Sequence, residues 1–235
     1  PTRFAGCYGA TTWDIEGIMG DHGASMGMKM CYGVIRASHD TRDYEQNSNM
    51  IVLWGRNLAD THTSELRYIV RARERGAKVV YIAPRFSSTA TIADQWIPVK
   101  PGSDSALALG MINWIIQNDR HDKDYLSNHS CGSLLVRDDD GTYLRGPDDA
   151  YMVWDPAQNT AVPATTEDVD APIEGAFEAG GVAVKPAFVH LKERAAEYTL
   201  ERVSELTGLD PQIVETFARE YSEAKPAGIR MGQGM

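Results

Sequence analysis

The sequence predicts an α/β fold: a Rossmann-like parallel sheet with helices on both faces and a small β-rich insertion. Two observations carry this expectation. Residues 50–54 are a continuous apolar run of strand length, and 78–82, apolar after Lys78, read as a second strand, the pattern of strands buried on both faces. Stretches of helical periodicity lie between and after them, so strand and helix alternate at the lengths of a right-handed βαβ unit.

The elements follow in order. The first strand, residues 50–54, ends in Gly55. Leu66, Ile69, Val70 and Arg73 recur at helical spacing, and Gly76 closes that helix as its C′ residue. The second strand, residues 78–82, is stopped by Pro84. Residues 91–94 read as a short helix and 96–99 as a short strand. Residues 105–117 form a helix that is apolar nearly all round and therefore buried. Residues 134–137 and 142–144 flank Asp140-Gly141, a hairpin signal, and 151–154 read as a further strand. Residues 156–185, rich in Ala, Gly, Pro and acidic side chains, read as a surface excursion with little core. Asp210-Pro211 places an N-cap before Pro at N1, and Ile213, Val214, Phe217 and Tyr221 then share one face. Residues 227–230 read as a returning strand that ends in Gly232-Gln233-Gly234.

Four segments result. Residues 1–48, interrupted by glycines from Gly6 to Gly33, read as loops and short helices near the site. Residues 49–131 are the Rossmann-like core, 132–190 the β-rich excursion, and 191–235 a helical return with the last strand of the core. The chain starts without Met and stops just after a glycine-rich turn, so it is expected to be a piece of a longer polypeptide.

Composition excludes several classes. With 235 residues, 23 basic against 33 acidic and a net charge of −10, the chain lacks the cationic surface that binding nucleic acid needs. No apolar run approaches the roughly 20 residues of a membrane helix, so no direct membrane contact is expected. Cys7, Cys31 and Cys131 are far apart, with none of the spacings of a zinc ribbon or an iron-sulfur cluster.

In open parallel sheets ligands bind beyond the C-terminal strand ends. Three such ends carry distinctive residues: Trp54-Gly55-Arg56-Asn57; Ala83-Pro84-Arg85 with Ser87, Ser88 and Thr89; and Lys100-Pro101-Gly102-Ser103-Asp104. Gly55 and Gly102 let backbone approach a ligand. Asn57, Thr89 and Ser103 offer neutral hydrogen bonds, and Arg85 and Lys100 offer positive charge. Asp104 can accept from both donors of a guanine edge. Together they point to a nucleotide diphosphate, although no GxGxxG or GxxxxGK[ST] motif is present. Each also has a plain structural use: Gly102-Ser103-Asp104 as a turn and N-cap, Arg85 as a surface cation, Asn57 as a helix cap.

These three strand ends, in this order, resemble those of the molybdopterin oxidoreductases of the dimethyl sulfoxide reductase family, over residues 49–130 and 190–235 and more loosely over the first 48. The family pattern is WGxNP, then (I/V)DPR, then P(I/V)(R/K)PG(T/S)D. Here Ala83 stands where Asp is usual, and Leu58 where Pro is. The resemblance implies a half-site for bis(molybdopterin guanine dinucleotide) with molybdenum or tungsten. Trp54, Gly55 and Asn57 would line the cofactor, and Pro84, Arg85 and Thr89 would sit near guanosine and phosphates. Gly102, Ser103 and Asp104 would hold the guanine, and Gly232 and Gly234 would approach the pterin.

The family's metal ligand lies on a loop upstream, where Gly20-Asp21-His22-Gly23-Ala24-Ser25 falls. Asp21 is the first candidate, since a carboxylate oxygen suits a hard metal. Ser25 and Cys7 are the alternatives, Asp21 in an Asx turn is the plain reading, and His22 is the candidate for proton transfer. The resemblance further implies a parent that performs two-electron oxygen-atom transfer on S-oxides, N-oxides or oxyanions, this chain alone being inactive. The parent's partners would be its remaining domains, an iron-sulfur electron-transfer subunit and a membrane anchor, in the periplasm or at the membrane. A four-iron, four-sulfur cluster would be encoded outside this chain. The alternatives are a hydroxylase, hydratase or dehydroxylase on the same scaffold, and a nucleotide-binding module without metal chemistry.

Overall fold

The structure is a computed structural model that describes residues 2–10, 21–33 and 40–232. Helices α1 (Thr2–Tyr8), α2 (Asp21–Tyr32) and α3 (Thr41–Gln46) come first. Strand β1 (Met50–Trp54), helices α4 (Leu58–Thr61) and α5 (Thr63–Glu74), and strands β2 (Lys78–Ile82) and β3 (Gln95–Ile97) follow, with a 3-10 turn at Ser88–Ile92. Next are helices α6 (Asp104–Gln117) and α7 (Lys123–Asn128). Five strands then run as β4 (Leu135–Arg137), β5 (Met152–Asp155), β6 (Thr160–Pro163), β7 (Phe177–Ala179) and β8 (Val182–Pro186). Helices α8 (Ala187–Ala196), α9 (Leu200–Thr207) and α10 (Pro211–Glu223) lead to strand β9 (Ala227–Met231). The chain forms two compact units. The first holds residues up to 104, with 207–209 and 223 onward; the second holds 105–206 and 210–222.

The first unit is built on a parallel sheet of order β3-β2-β1-β9, flanked by helices, which is the α/β architecture expected. All five residues of β1 are buried. Ile51 and Leu53, with Val79 and Tyr81 of β2, pack against Leu58 of α4 and Ile69 and Ala72 of α5. Helix α5 ends in a Schellman motif: the Ala77 N–H donates to the Ala72 carbonyl and the Gly76 N–H to that of Arg73, with Gly76 at φ +107°. Asp94 fastens the edge of the sheet. Its Oδ2 accepts from the Val79 N–H at 2.8 Å and its Oδ1 from Arg73 Nε at 2.7 Å.

Glycine closes the sheet at β9. The Gly232 N–H donates to the Trp54 carbonyl at 2.7 Å, and a Cβ at Gly232 would stand 2.1 Å from the Gly55 oxygen. No rotamer relieves a backbone collision, so only glycine fits here.

The second unit holds small antiparallel sheets, β4-β8-β7 and β5-β6. Residues 156–185 form a surface excursion with little core, as expected, and only Ala171, Ile173 and Val184 among them are buried. No strand is predicted there from the sequence, yet β6, β7 and most of β8 run through them. Leu135, Met152, Trp154 and Val184 form a buried cluster on which Phe177 packs, its ring stacked on Trp154 at 4.5 Å. Gly180 and Gly181, both at positive φ, make the β7–β8 turn that permits this. The turn at Asp140-Gly141 forms as expected, with Arg137 N–H donating to Thr142 O. On that side β4 bridges Val136 to Tyr143, and on its other side it pairs with β8, Leu135 opposite Pro186 and Arg137 opposite Val184.

Two local readings also shift. The short helix expected at 91–94 is a 3-10 turn at Ser88–Ile92. Asp21 opens the twelve-residue helix α2 instead of lying on a loop. Met, Lys and Ala are good helix formers and outweigh the two glycines of that segment.

Candidate nucleotide-binding cleft

The C-terminal ends of β1 and β2 and the 101–104 turn converge on a cleft of about 300 Å³. Gly55, Asn57, Pro84, Arg85, Gly102 and Asp104 line it, so all three predicted strand ends meet at one edge. Gly55 sits at φ +62° and Gly102 at φ +78°. Nothing stands within 4 Å of where a Gly102 Cβ would be, which leaves the backbone open to a ligand.

Asp104 is held at the rim by Trp54, whose Nε1 donates to Oδ1 at 2.7 Å. Trp54 itself is only 6% exposed and therefore acts on the cleft through this bond. The second carboxylate oxygen of Asp104 stays available as an acceptor.

Asn57 anchors the opposite rim. It occupies the N-cap position of α4 but makes no capping bond with its side chain. Its Oδ1 accepts from Thr89 Oγ1 at 2.6 Å and lies 3.1 Å from Ser87 Oγ, while its Nδ2 donates to Asp60 Oδ2 at 2.7 Å. Ser87 also meets the Tyr81 hydroxyl at 3.0 Å. Hydrogen bonds from Asn57 and Ser88, with the charge of Arg85 as a lesser cause, hold the Asp60 carboxyl below its ordinary value. Arg85 is exposed and has no ion-pair partner within 4 Å among the described residues.

Other predicted residues serve differently. Thr89 is fully buried and also accepts from the Ala59 N–H at 3.0 Å, so it positions Asn57 instead of facing the cleft. Ser103 turns its hydroxyl onto the Lys100 carbonyl at 2.7 Å, the plain turn use of that residue. Lys100 packs its side chain against Gly208. Gly232 is occupied by its contact with Gly55. Ala83 lines the cleft without a polar side chain, and its carbonyl accepts from Trp96 Nε1 at 2.9 Å.

Asp21 and His22 lie in the first turn of α2; their side chains and that of Ser25 fall outside the described residues, as does Gly234. Cys7 is exposed on α1. Among the described residues no group of three His, Cys, Asp or Glu is arranged to hold a metal ion. No helix among them is long and apolar enough to cross a membrane.

Tyr81 and Asp60 are the residues that sequence reasoning missed. Asp60 lies three residues beyond Asn57, a helical spacing that brings the two side chains together. Tyr81 carries its hydroxyl near the C-terminal end of a buried strand, which is a signal for a polar role.

The molybdopterin oxidoreductase family model matches residues 21–235. The chain belongs to this family. It is 30% identical to the dimethylsulfide dehydrogenase alpha subunit of Rhodovulum sulfidophilum, over 99% of this chain and 27% of that one. It is 32% identical to the perchlorate reductase alpha subunit of Dechloromonas aromatica, over 99% of this chain and 29% of that one. The acetylene hydratase of Pelobacter acetylenicus shares the fold, with a TM-score of 0.52 and 24% identity over 82% of this chain and 20% of that one. The chain thus spans little more than a quarter of the curated relatives it matches. Membership of the molybdopterin oxidoreductase family implies a molybdopterin cofactor for the enzyme of which this chain is part.

Proposed function

We propose that this molybdopterin oxidoreductase chain binds the guanine end of a molybdopterin guanine dinucleotide, within an enzyme that transfers an oxygen atom in a two-electron step. The observation that carries this reading is the Asp104 carboxylate, fixed by Trp54 at the rim of a cleft floored by Gly102. The donor set fits a guanine nucleotide. Asp104 faces the N1–H and exocyclic amine with an acceptor, Gly55 and Gly102 open the backbone, and Arg85 supplies a cation for a diphosphate. The cleft is at the low end of the roughly 300–1,000 Å³ typical of small-molecule sites, in keeping with one end of a longer ligand.

In this reading Trp54, Asn57 and Thr89 are positioning residues, Pro84 and Ser103 shape the rim, and Gly232 holds β9 against Gly55. The two-electron chemistry belongs to the metal and pterin when bound, and the chain supplies binding and orientation. We assign metal ligation to Asp21 and proton transfer to His22 from their place in the sequence, with Ser25 and Cys7 as the other ligand candidates. The relatives named as a perchlorate reductase and a dimethylsulfide dehydrogenase support oxygen-atom transfer on oxyanions or sulfur compounds. An iron-sulfur subunit and a membrane anchor as partners are part of the same proposal.

Calorimetry of GDP and ADP on this chain tests the reading. GDP is expected to bind at least tenfold more tightly, with Asp104→Ala abolishing the difference, since lost paired hydrogen bonds of this kind cost about 1.5–3 kcal/mol. Equal affinity for both nucleotides, or discrimination that survives Asp104→Ala, would overturn it.

A further inference from the structure

Strand β9 stands at one end of the sheet order β3-β2-β1-β9, and among the described residues β1 is its one strand neighbour. The Pro226 carbonyl accepts from the Asn49 N–H, and the Gly232 N–H donates to the Trp54 carbonyl, so the even-numbered residues turn their backbone groups toward β1. The two-residue period of a strand then points the N–H and C=O of Ala227, Ile229 and Met231 the other way, to the outer flank. No other strand among the described residues takes them up.

The two faces beside this edge differ. Gly228 and Arg230 face α3 and α5. A Cβ on Gly228 would meet the Tyr44 ring at 2.6 Å, and Arg230 Nη2 donates to Glu65 Oε1 at 3.1 Å. On that side a groove of about 570 Å³ runs between α3 and residues 226–229, with Asp43, Asn47 and Ser48 on its wall. Ile229 and Met231 project to the opposite face, where they are 36% and 60% exposed.

An edge of this kind is a template for a further strand, and proteins that leave one open blunt it with lysine, proline or a bulge. Strand β9 has none of these: it reads Ala-Gly-Ile-Arg-Met, its register with β1 is unbroken, and its one charge is paired with Glu65. The chain spans 27% and 29% of the two relatives matched over nearly its whole length, so most of each relative lies outside this stretch. We propose that the outer edge of β9 is covered by a strand from the rest of the same polypeptide. That strand adds parallel to β9, with apolar side chains over Ile229 and Met231 and polar ones toward the groove. A second copy is the rival occupant, and topology disfavours it. A two-fold axis would set β9 against β9 antiparallel, in a sheet whose ladders are parallel throughout. No residue of β9 lines the nucleotide cleft, so the proposal holds whatever binds there.

Hydrogen exchange resolved to single amides by mass spectrometry tests this, and the full-length enzyme decides it. There Ala227, Ile229 and Met231 are expected to exchange as slowly as Gly228 and Arg230, to within about tenfold. In this chain alone the same three amides should exchange at least about tenfold faster than that pair. An alternation that persists in the full-length enzyme would overturn the proposal. Slow exchange of the three amides in the chain alone would overturn it too. If it survives dilution the chain covers its own edge, and if dilution abolishes it the edge belongs to a second copy.

Discussion

Asn57 is the residue on which the cleft's polar network turns. Its carbonyl end collects the hydroxyls of Ser87 and Thr89, and its amide end reaches Asp60. Removing it should release Asp60. In Asn57→Ala the Asp60 pKa, measured by NMR titration, is expected to rise toward the ordinary 3.8. The sign of the linkage follows from the lowered folded value. The Asp60 contribution is complete above about pH 4, where the unfolded chain is also ionised, and is lost as pH falls through the folded pKa. The variant should therefore lose less stability on acidification than the parent chain does. An unchanged Asp60 titration would show that Ser88 and Arg85 suffice. Some of this network was legible in the sequence: the hydroxyl run Ser87-Ser88-Thr89 was visible behind Arg85. Which hydroxyl faces inward was not, because the three differ in burial only once the 3-10 turn is formed.

Strand edges decide stability at the scale of elements. Asp94 serves as acceptor for both the β2 backbone and Arg73 of α5, and its side chain is 31% exposed. Asp94→Ala leaves the Val79 N–H without its side-chain acceptor and cuts the tie to the helix. A loss of about 1–3 kcal/mol is expected in urea denaturation, with no change in the m-value. A loss below about 0.5 kcal/mol would mean that water replaces the carboxylate freely. The strands β1 and β2 were readable because five successive apolar residues in the one, and four after Lys78 in the other, admit little else. The strands β6 and β7 were not, because three or four residues give too short a period to detect and none of their residues is fully buried. The Gly180-Gly181 turn was the signal available there, lost in a glycine-rich surrounding.

For the whole molecule, packing in the second unit admits no added volume at Gly110. A Cβ there would lie 2.5 Å from Val203 Cγ2, and valine has little rotamer freedom with which to yield. Gly110→Ala should destabilise the chain by about 1–3 kcal/mol despite alanine's better helix propensity. Adding Val203→Ala should return part of that loss. The two changes together would then cost less than the sum of each alone, a non-additivity that a denaturation cycle reads directly. The α/β class was legible as a whole from strand and helix alternation. The division into two units was hidden, because α6 reads as a continuation of the core while its residues from 105 onward group with the antiparallel strands.

The cleft has one more consequence, which concerns time. Every residue that lines it lies between 55 and 104, in one unbroken stretch. Gly232, which seats the last strand of the same sheet against Gly55, follows the entire second unit in the sequence. A ribosome working from the N-terminus therefore delivers the complete lining of the cleft first and the strand that finishes the sheet last. The surface offered to a ligand is written before the frame that braces it, so the nascent chain passes through a stage in which β1 has a neighbour on one side and an open flank on the other.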